Sequence, residues 1–451
     1  MRLFGTNGIR GKIREDFKPD FLAKIGLAIG TYLSLRSWVI IGSDTRVSGN
    51  MVKSAVISGL LATGVNVVDI GIAPTPAIQL YTKNHGDFGI AITASHNPPE
   101  FNGVKCIAPD GTELPRNEEE KIEEIFFSSR FRLVSWKDVG RYTIAHGANE
   151  EYIEAVLSHV DVEKIRERKF TVVIDCANGA SCFTSPYLLE KLGCRVISLN
   201  CQPDGTFPGH ESEPKPQNLG DLMALMKDVR ADLGMAHDGD ADRAIFVDEN
   251  GRFIQGDKTL TLVAREIAKK NAGKFVTPVS TSMAFEEVVK KYGGEVIYTR
   301  VGAPIVARRM IEEHAIFGGE ENGGLIFPEH QYCRDGAMAL AKILEIMAES
   351  GKKLSTLINE LPSYYQGKIS VKCDNSKKAA VLEKLKEKLK NERINTMDGV
   401  KIMHEDWWVL IRPSGTEPIY RIYAEAKSEE KLQEIMEKYR KMLEKIIEDI
   451  S

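Results

Sequence analysis

The sequence predicts three consecutive α/β domains with mixed sheets, followed by a smaller α+β domain. First, 451 residues, 43% of them hydrophobic and 27% charged, suffice for several cores, since a domain typically takes about 150 residues. Second, one layout occurs three times: an apolar run, a helical stretch, then a glycine and a second apolar run, as in a βαβ unit. Third, the last part of the chain has a different pattern, in which helices rich in lysine and glutamate alternate with strands.

The three repeats contain apolar runs without polar alternation, which is typical of parallel strands buried on both faces. They cover residues 38–70, 170–199 and 275–298. In the last part, the pattern predicts helices over 377–389 and 429–447, strands over 407–411 and 420–426, and a preceding linker at 362–367. We therefore predict domains over residues 1–150, 151–255, 256–366 and 367–451.

The composition argues against several classes of protein. Sixty Lys and Arg nearly balance 64 Asp and Glu, and the net charge of −4 provides no field that attracts nucleic acid. The seven cysteines form no C-x-x-C pair, so we expect most of them to be small buried residues in a reducing compartment. No export signal or apolar run of membrane-spanning length occurs. We expect a cytoplasmic protein that does not bind membranes.

The loop at residues 93–99 follows the apolar run 88–92 and contains Ser95 and His96. The carboxyl end of a buried strand is where α/β proteins place reactive groups. A serine nucleophile needs a base, and a neighbouring histidine does not automatically reach it. The alternative is an Asn-Pro turn whose serine and histidine satisfy backbone groups.

The loop at residues 238–243 carries Asp238, Asp240 and Asp242, followed by Arg243 and a strand at 244–247. Three closely spaced carboxylates suit a hard divalent cation. An EF-hand calcium loop is excluded because its sixth position is Arg243 rather than glycine and a strand follows where a helix is required. We predict a metal site that is exposed to a cleft.

Two further loops supply polar groups. Residues 318–324 contain four glycines with Glu320 and Asn322, an acceptor and an amide that suit sugar hydroxyls, although a plain glycine-rich turn is the alternative. Residues 412–418 combine Arg412 with two hydroxyls and backbone amides, a phosphate cradle without the spacing of an ATP-binding loop.

In this order, the motifs TASHNP, DGDADR, GEENGG and RPSGTEP, preceded by FGTNGIRG at residues 4–11, closely resemble the α-D-phosphohexomutase superfamily over nearly the whole chain. The resemblance implies three α/β domains and a smaller C-terminal domain around one central cleft. It implies an isomerase that interconverts hexose 6-phosphate and hexose 1-phosphate through a phosphoserine and a 1,6-bisphosphate of glucose or glucosamine. GEENGG is similar to the archaeal branch assigned as phosphoglucosamine mutase, in which phosphomannomutase and phosphoglucomutase activities overlap.

The resemblance also implies roles for individual residues. Ser95 would carry the phosphoryl group, with Mg²⁺ held against it by Asp238, Asp240 and Asp242. Glu320 and Asn322 would bind the 3- and 4-hydroxyls of the sugar. The remaining expected site residues are catalytic Arg10, His96, Lys105 and Arg243, and phosphate-binding Arg412, Ser414, Gly415, Thr416 and Arg421.

The chain departs from many bacterial relatives in the third loop, where Asn322 replaces a serine and Gly324 a histidine, and residues 301–304 lack another histidine. His96 and Lys105 are therefore our candidates for proton transfer, although a surface lysine is the alternative for Lys105. Two other classes of function are possible. One is a metal-dependent phosphatase with a phosphoserine, which would need histidine ligands for a second metal. The other is a non-catalytic sugar-phosphate binding protein.

Overall fold

Four β-sheets follow one another along the chain, and helices pack against each of them. The structure is a computed structural model that describes residues 2–5, 7–415 and 417–450. The sheets have six, five, five and five strands. The predicted fold class is confirmed, because the first three sheets mix parallel and antiparallel strands and the fourth is antiparallel.

The first sheet region contains the elements β1 (Ile9–Lys12), α1 (Pro19–Tyr32), β2 (Trp38–Ser43), α2 (Gly49–Ala62), β3 (Asn66–Ile72), α3 (Thr75–His85), β4 (Phe88–Ile92), β5 (Phe101–Ile107), α4 (Arg116–Ser128) and β6 (Tyr142–Ile144). The strands are ordered β1-β5-β4-β2-β3-β6. The predicted strands β2 and β3 are parallel, and β2 is also parallel to β4. The carboxyl ends of β2 and β4 therefore lie side by side, and the loops that leave them can meet.

The second region contains α5 (Ala148–Leu157), α6 (Val162–Arg168), β7 (Thr171–Asp175), α7 (Ser185–Lys191), β8 (Arg195–Leu199), α8 (Gly220–Val229), β9 (Leu233–His237), β10 (Ala244–Val247) and β11 (Phe253–Ile254). Strand β7 is parallel to β8 and β9, whereas β9 and β10 are antiparallel. The aspartate loop connects β9 to β10.

The third region contains α9 (Gly256–Lys270), β12 (Lys274–Pro278), α10 (Met283–Lys291), β13 (Glu295–Thr299), α11 (Ala303–Glu313), β14 (Phe317–Glu320), β15 (Gly324–Phe327), β16 (Gln331–Arg334), α12 (Gly336–Ser350) and α13 (Leu354–Asn359). Strand β12 is parallel to β13 and β14, and β14 is antiparallel to β15. The glycine-rich motif spans β14 and the tight turn into β15.

The fourth region contains β17 (Tyr365–Lys372), α14 (Lys378–Lys388), β18 (Ile394–Asn395), β19 (Val400–Met403), β20 (Trp407–Pro413), β21 (Ile419–Ala426) and α15 (Glu429–Glu448). Helix α15 is capped by the Ser428 side chain, and it buries Leu432, Ile435, Tyr439, Leu443 and Ile446 at the three- and four-residue spacing of an amphipathic helix.

Two expectations for this region need correction. The predicted linker 362–367 is only partly a linker, because β17 begins at Tyr365 and pairs with β21. Arg412 is not in a loop: it lies in β20, where its Cα is paired with that of Arg421 in β21. Pairing with β21 extends β20 beyond the apolar run 407–411 that predicted it, and it makes a strand of β17, which no apolar run predicted.

The hydrophobic cores do not follow the four sheets one to one. One large core contains buried residues from Ile40 to Leu361 and so joins parts of the first three regions. The first region has an additional core of its own, and the fourth region has a separate core from Val371 to Ile446. A small cluster packs Val279 of the third region against Trp408 and Leu410 of the fourth. Among the described residues, no helix has the length and hydropathy needed to cross a membrane.

Candidate active site

Ser95 lies in a tight turn directly after β4. Its backbone is left-handed, with φ 52°, and its side chain is buried. The backbone amide of Ser95 donates to the hydroxyl of Thr93 at 2.8 Å, and that hydroxyl donates to Asp44 at 2.6 Å. A non-glycine residue keeps this conformation only where its surroundings enforce it. The turn therefore holds the serine hydroxyl in a fixed position.

A buried arginine holds the same turn from the loop after β2. The guanidinium of Arg46 donates to the carbonyls of Ser95 at 2.8 Å and Asn97 at 2.6 Å, and also to those of Pro98 and Phe101. Asp44 pairs with the Nε of Arg46 at 3.1 Å. Sequence reasoning missed Arg46, because a single arginine that contacts backbone carbonyls and one nearby aspartate has no characteristic spacing.

The three aspartates meet at Ser95. Asp238, Asp240 and Asp242 each offer a carboxylate oxygen, and these oxygens lie within 4.8 Å of one another. The hydroxyl of Ser95 donates to Oδ2 of Asp238 at 2.7 Å. The expectation that the loop is exposed to a cleft is wrong, since all three side chains are buried. They are held under the serine turn and beside β5.

The charges of the triad are unequally compensated. Burial and the neighbouring Asp242 and Asp240 raise the pKa of Asp238 to about 8. Burial opposes ionisation of Asp240 as well, but the ammonium of Lys105 at 2.6 Å lowers the pKa of that carboxyl below its usual value. The Oδ1 atoms of Asp240 and Asp242 are buried and have no hydrogen-bond partner among the described residues. Buried carboxylate oxygens without a hydrogen-bond partner in such a cluster fit a divalent cation.

Two buried cations lie against the triad. Lys105 in β5 contacts Asp240 at 2.6 Å and Asp242 at 3.5 Å. Although burial opposes its charge, these two carboxylates raise the pKa of Lys105, so it stays protonated. Arg334, at the end of β16, contacts Asp242 at 2.5 Å and Glu320 at 3.2 Å. Sequence reasoning missed Arg334, which joins the metal loop to the sugar loop, because it lies in no recognised motif.

The other predicted catalytic residues surround the serine. Nδ1 of His96 lies 3.4 Å from the Ser95 hydroxyl. Burial, together with Arg243 and Arg10, lowers the pKa of His96 to about 2, so the ring is neutral at pH 7. Arg10 donates to the side chain of Asn97 at 2.6 Å, and Arg243 approaches Asp238 and Asp242 at 3.9 Å. The structure thus brings Arg10, His96, Lys105 and Arg243 to one place.

The glycine-rich loop lies beside this cluster. Glu320 accepts hydrogen bonds from the amide of Gly302 at 3.0 Å and from Arg334. The side-chain amide of Asn322 donates to Glu320 at 3.5 Å. Glu321 accepts from the hydroxyl of Ser280 at 3.0 Å. Glu320 and Asn322, the two predicted sugar ligands, contact each other, and Arg334 joins Glu320 to Asp242 of the metal loop.

The predicted phosphate loop belongs to the fourth region and is linked to the others through one aspartate. Arg412 pairs with Asp398 at 3.1 Å, and Asp398 also accepts from the amide of Val301 at 3.0 Å, next to the Gly302 that binds Glu320. Arg421 pairs with Glu417 across the loop. The hydroxyl of Ser414 accepts from the amide of Glu417 at 3.2 Å, Gly415 follows, and Thr416 lies outside the described residues.

Four family models match the chain in the order of its sheets. They are described as the α/β/α domains I, II and III and the C-terminal domain of phosphoglucomutase/phosphomannomutase, and they match residues 1–133, 150–251, 255–365 and 369–442. The chain is 50% identical to the phosphoglucomutase/phosphomannomutase of Thermococcus kodakarensis, covering 99% of each protein. It is 42% identical to a probable phosphoglucosamine mutase of Methanopyrus kandleri, over 100% of this chain and 99% of the relative.

Solved structures show the same architecture. A phosphoglucomutase/phosphomannomutase family protein from Burkholderia thailandensis superimposes with a TM-score of 0.88 at 28% identity, covering 98% of this chain and 97% of that one. A putative phosphomannomutase from Thermus thermophilus gives a TM-score of 0.85, also at 28% identity, with 98% of each chain covered. The resemblance inferred from the four motifs is confirmed: the chain belongs to the phosphoglucomutase/phosphomannomutase family and is an isomerase of the α-D-phosphohexomutase superfamily.

Proposed function

We propose that Ser95 carries the transferred phosphoryl group in an interconversion of hexose 6-phosphate and hexose 1-phosphate, with glucosamine phosphate as a principal substrate. The observation that carries this proposal is the contact between the Ser95 hydroxyl and Asp238 at 2.7 Å, at the centre of a carboxylate triad with two unpartnered oxygens. A structural serine has no need of such surroundings. A serine that alternates between a free and a phosphorylated state needs a cation beside it to offset the phosphate charge.

The donor set fits Mg²⁺, the cation on which this family depends. Asp238, Asp240 and Asp242 would hold it together with an oxygen of the phosphorylated Ser95, since carboxylate and phosphate oxygens are the ligands Mg²⁺ prefers. When bound, Mg²⁺ offsets charge on the transferring phosphoryl group. The surrounding side chains neutralise the remaining charge: Lys105 and Arg334 from below the triad, Arg243 and Arg10 from the side of the serine.

In the forward half-reaction, the bond between the Ser95 oxygen and phosphorus breaks, and a bond forms between phosphorus and a sugar hydroxyl oxygen. The proton of that hydroxyl leaves, and the serine oxygen recovers one. His96 and Lys105 remain our candidates for these transfers. Neutral His96 can accept a proton, and the negative charge of a phosphoserine opposes the effect of the arginines that lower its pKa. Lys105 is protonated and can only donate.

After the first transfer, the sugar would carry two phosphates and turn over, so that the serine recovers the other one. The phosphate that is not reacting needs its own site. Arg412, Ser414, Gly415, Thr416 and Arg421 are the proposed ligands, because a guanidinium and hydroxyls suit a phosphate. The link from Glu320 through Gly302, Val301 and Asp398 to Arg412 supports this assignment, since it connects the sugar loop to the phosphate loop.

The proposed sugar preference depends on which sugar hydroxyls the glycine-rich loop can bind. Glu320 and Asn322 would bind the 3- and 4-hydroxyls, which glucosamine and glucose share, and we assign no motif residue to C2. The relatives carry both kinds of name, including a phosphoglucosamine/phosphogalactosamine mutase of Sulfurisphaera tokodaii at 39% identity over 98% of this chain and 99% of the relative. We therefore propose phosphoglucosamine mutase activity with overlapping phosphoglucomutase and phosphomannomutase activities. A 1,6-bisphosphate of glucose or glucosamine would serve as activator and intermediate. We further propose that the enzyme is cytoplasmic. We also propose that the chain divides into domains at the four predicted ranges.

A phosphatase is less well supported. His237, which directly precedes the metal loop in the sequence, is buried, and its two ring nitrogens contact the carbonyl of Arg243 at 2.9 Å and the hydroxyl of Ser185 at 2.7 Å. Both nitrogens are occupied, so His237 is not a ligand for a second metal.

One assay tests the proposal. Glucosamine 1-phosphate, glucose 1-phosphate and mannose 1-phosphate are each supplied with Mg²⁺ and a trace of the bisphosphate, and the 6-phosphates and free phosphate are measured together. We expect 6-phosphates from glucosamine and at least one other sugar, with little free phosphate. Ser95→Ala should lose nearly all turnover and the phosphorylated fraction in the intact mass. Release of free phosphate as the main product, or full activity of Ser95→Ala, would contradict the proposed function.

A further inference from the structure

Two thiols meet behind the metal loop, in the second sheet region. Sγ of Cys201 lies 3.0 Å from Sγ of Cys176. Cys176 directly follows β7, and Cys201 comes two residues after β8, which is parallel to β7 with Asp175 opposite Leu199. The two chain segments therefore leave the same edge of the sheet side by side. Residues of two packed strand ends cannot separate without disturbing the sheet, so the two thiols stay within reach of each other.

The distance between the two sulfur atoms is only about 1 Å longer than a disulfide bond. A disulfide needs its sulfurs about 2.05 Å apart, so closing the contact requires a movement of roughly 1 Å, which side-chain rotation can supply. All seven cysteines are thiols in the structure, and the thiol pair formed by Cys176 and Cys201 adds no charge or metal ligand to the proposed active site. Nothing in the phosphotransfer chemistry uses it.

We propose that Cys176 and Cys201 form a reversible disulfide by exchange with a small-molecule disulfide, and that this bond stabilises the second sheet region. The two thiols differ in the way a stepwise exchange requires. Cys201 is partly exposed, whereas Cys176 is buried. Burial, with the neighbouring thiols of Cys182 and Cys201, raises the pKa of the Cys176 thiol well above its ordinary value.

The reaction has two balanced steps. The thiolate of Cys201 attacks one sulfur of the small disulfide, forms a mixed disulfide and releases one small thiolate, which takes up the proton that Cys201 lost. Cys176 then attacks the Cys201 sulfur, the protein disulfide forms, and the second small thiolate leaves with the proton of Cys176. The protein loses two hydrogens, and the small disulfide is reduced to two thiols. The second step is the slow one, because burial disfavours the thiolate of Cys176.

The disulfide should stabilise the fold because it closes a loop of roughly 25 residues in the unfolded chain. The segment after Cys176 also supports the active site: the amide of Ala180 donates to the carbonyl of Gly239, in the aspartate loop, at 3.0 Å. The segment after Cys201 leads to Phe207, whose ring lies 5.0 Å from the guanidinium of Arg46. The disulfide would thus tie together the two segments that support the metal loop and the serine turn.

The experiment uses the full chain and oxidised glutathione. After incubation, free thiols are blocked, and the protein is digested without reductant for peptide mapping. We expect a cross-linked peptide pair containing Cys176 and Cys201, and a rise of the unfolding temperature on the order of 5 °C that dithiothreitol reverses. Joining of Cys176 to Cys182 instead, or a Cys201 that remains a blockable thiol under these conditions, would overturn the proposal.

Single variants separate the two steps. Cys176→Ser should accumulate one glutathionyl group on Cys201, because the thiol that completes the exchange is absent. Cys201→Ser should show neither the cross-link nor the temperature shift. Cys194→Ser is the matched control, since Cys194 is also partly exposed but precedes β8, and it should respond like the unmodified chain. A temperature shift that persists in Cys201→Ser would also contradict the proposal.

Discussion

Arg334 occupies the space beside Gly324: a Cβ atom built on Gly324 would lie 2.2 Å from Cδ of the arginine. Because Gly324 has no Cβ atom, the arginine fits there, and its guanidinium reaches Asp242 on one side and Glu320 on the other. The glycine in place of the histidine of many bacterial relatives and the arginine ten residues later therefore depend on each other. The presence of Gly324 is explained by Arg334, and Arg334 can reach both carboxylates only because residue 324 is a glycine.

This relationship predicts the effect of Gly324→Ala. The methyl group would displace Arg334, which would release Glu320 and Asp242 from a shared cation, and we expect kcat/KM to fall about tenfold or more, or ~1.4 kcal/mol. Gly220→Ala is the control, because a Cβ at Gly220 meets nothing within 4 Å. In a double-mutant cycle with Arg334→Ala, the two losses should not add. Additive losses would show that the glycine acts independently of the arginine.

We predict that Lys105 competes with a metal ion for the triad. Its ammonium lies 2.6 Å from Asp240 and is buried, so Lys105→Met leaves an uncompensated carboxylate. We expect the variant to be less stable without metal, to bind Mg²⁺ about tenfold more tightly through the added Coulomb attraction, and to lose most turnover. Unfolding temperatures over a Mg²⁺ titration measure this, since a ligand that binds the folded state raises them.

Lys53→Met is the matched control for that measurement, because Lys53 pairs with Asp69 at 2.9 Å, also largely buried. It should lower the unfolding temperature by an amount that does not depend on Mg²⁺. If Lys105→Met bound Mg²⁺ more weakly than the unmodified enzyme, the lysine would be a support for the metal site rather than a competitor.

Arg412 should matter for substrate binding in both reaction directions. Charge-assisted hydrogen bonds are worth ~1.5 to 3 kcal/mol, so Arg412→Ala should weaken binding of the 1-phosphate and the 6-phosphate sugar on the order of 10- to 100-fold. Calorimetric titration of the two sugars measures this. Arg440→Ala removes an arginine of α15 with exposed ion pairs and should leave both affinities unchanged. Normal binding of both sugars by Arg412→Ala would remove this residue from the substrate site.

The contact between the third and fourth regions should make stability depend on pH through Asp257. Its carboxylate accepts from the amide of Ser282 and from Gln366, and Gln366 also donates to Glu425. Burial, with Glu321 nearby, raises the pKa of Asp257 from 3.8 to about 8. The folded state therefore binds more protons than the unfolded state between these values, and this contribution to stability is lost as pH rises from about 4 to about 8.

The variant Asp257→Asn tests whether stability falls with rising pH because of this carboxyl group. Across the pH range in which Asp257 titrates, the unfolding temperature of the variant should fall less steeply with rising pH than that of the unmodified chain. Burial lowers the pKa of the neighbouring Lys401 to about 8, so that lysine affects the slope only above this range. Parallel curves for the two proteins would show that Asp257 does not titrate in it.

Apolar runs made the central strands predictable: the pattern at 244–247 coincides with β10, and that at 88–92 with β4. The short antiparallel edge strands were not predicted, because strands such as β11 and β18 have two residues each and carry no periodicity. For the site, repeated acidic spacing identified the metal loop. Arg46 and Arg334 act through single contacts between distant segments, and only the fold brings those segments together.

The distribution of the cores has a consequence for the order of events on the ribosome. The first region can complete its own core once Phe126 has emerged, and the fourth needs only residues from Val371 onward. The large shared core, by contrast, includes both Ile40 and Leu361. A nascent chain must therefore keep apolar surface uncovered until about four fifths of it has been translated. Of the whole molecule, this shared interior is where a chaperone would have the longest time to bind.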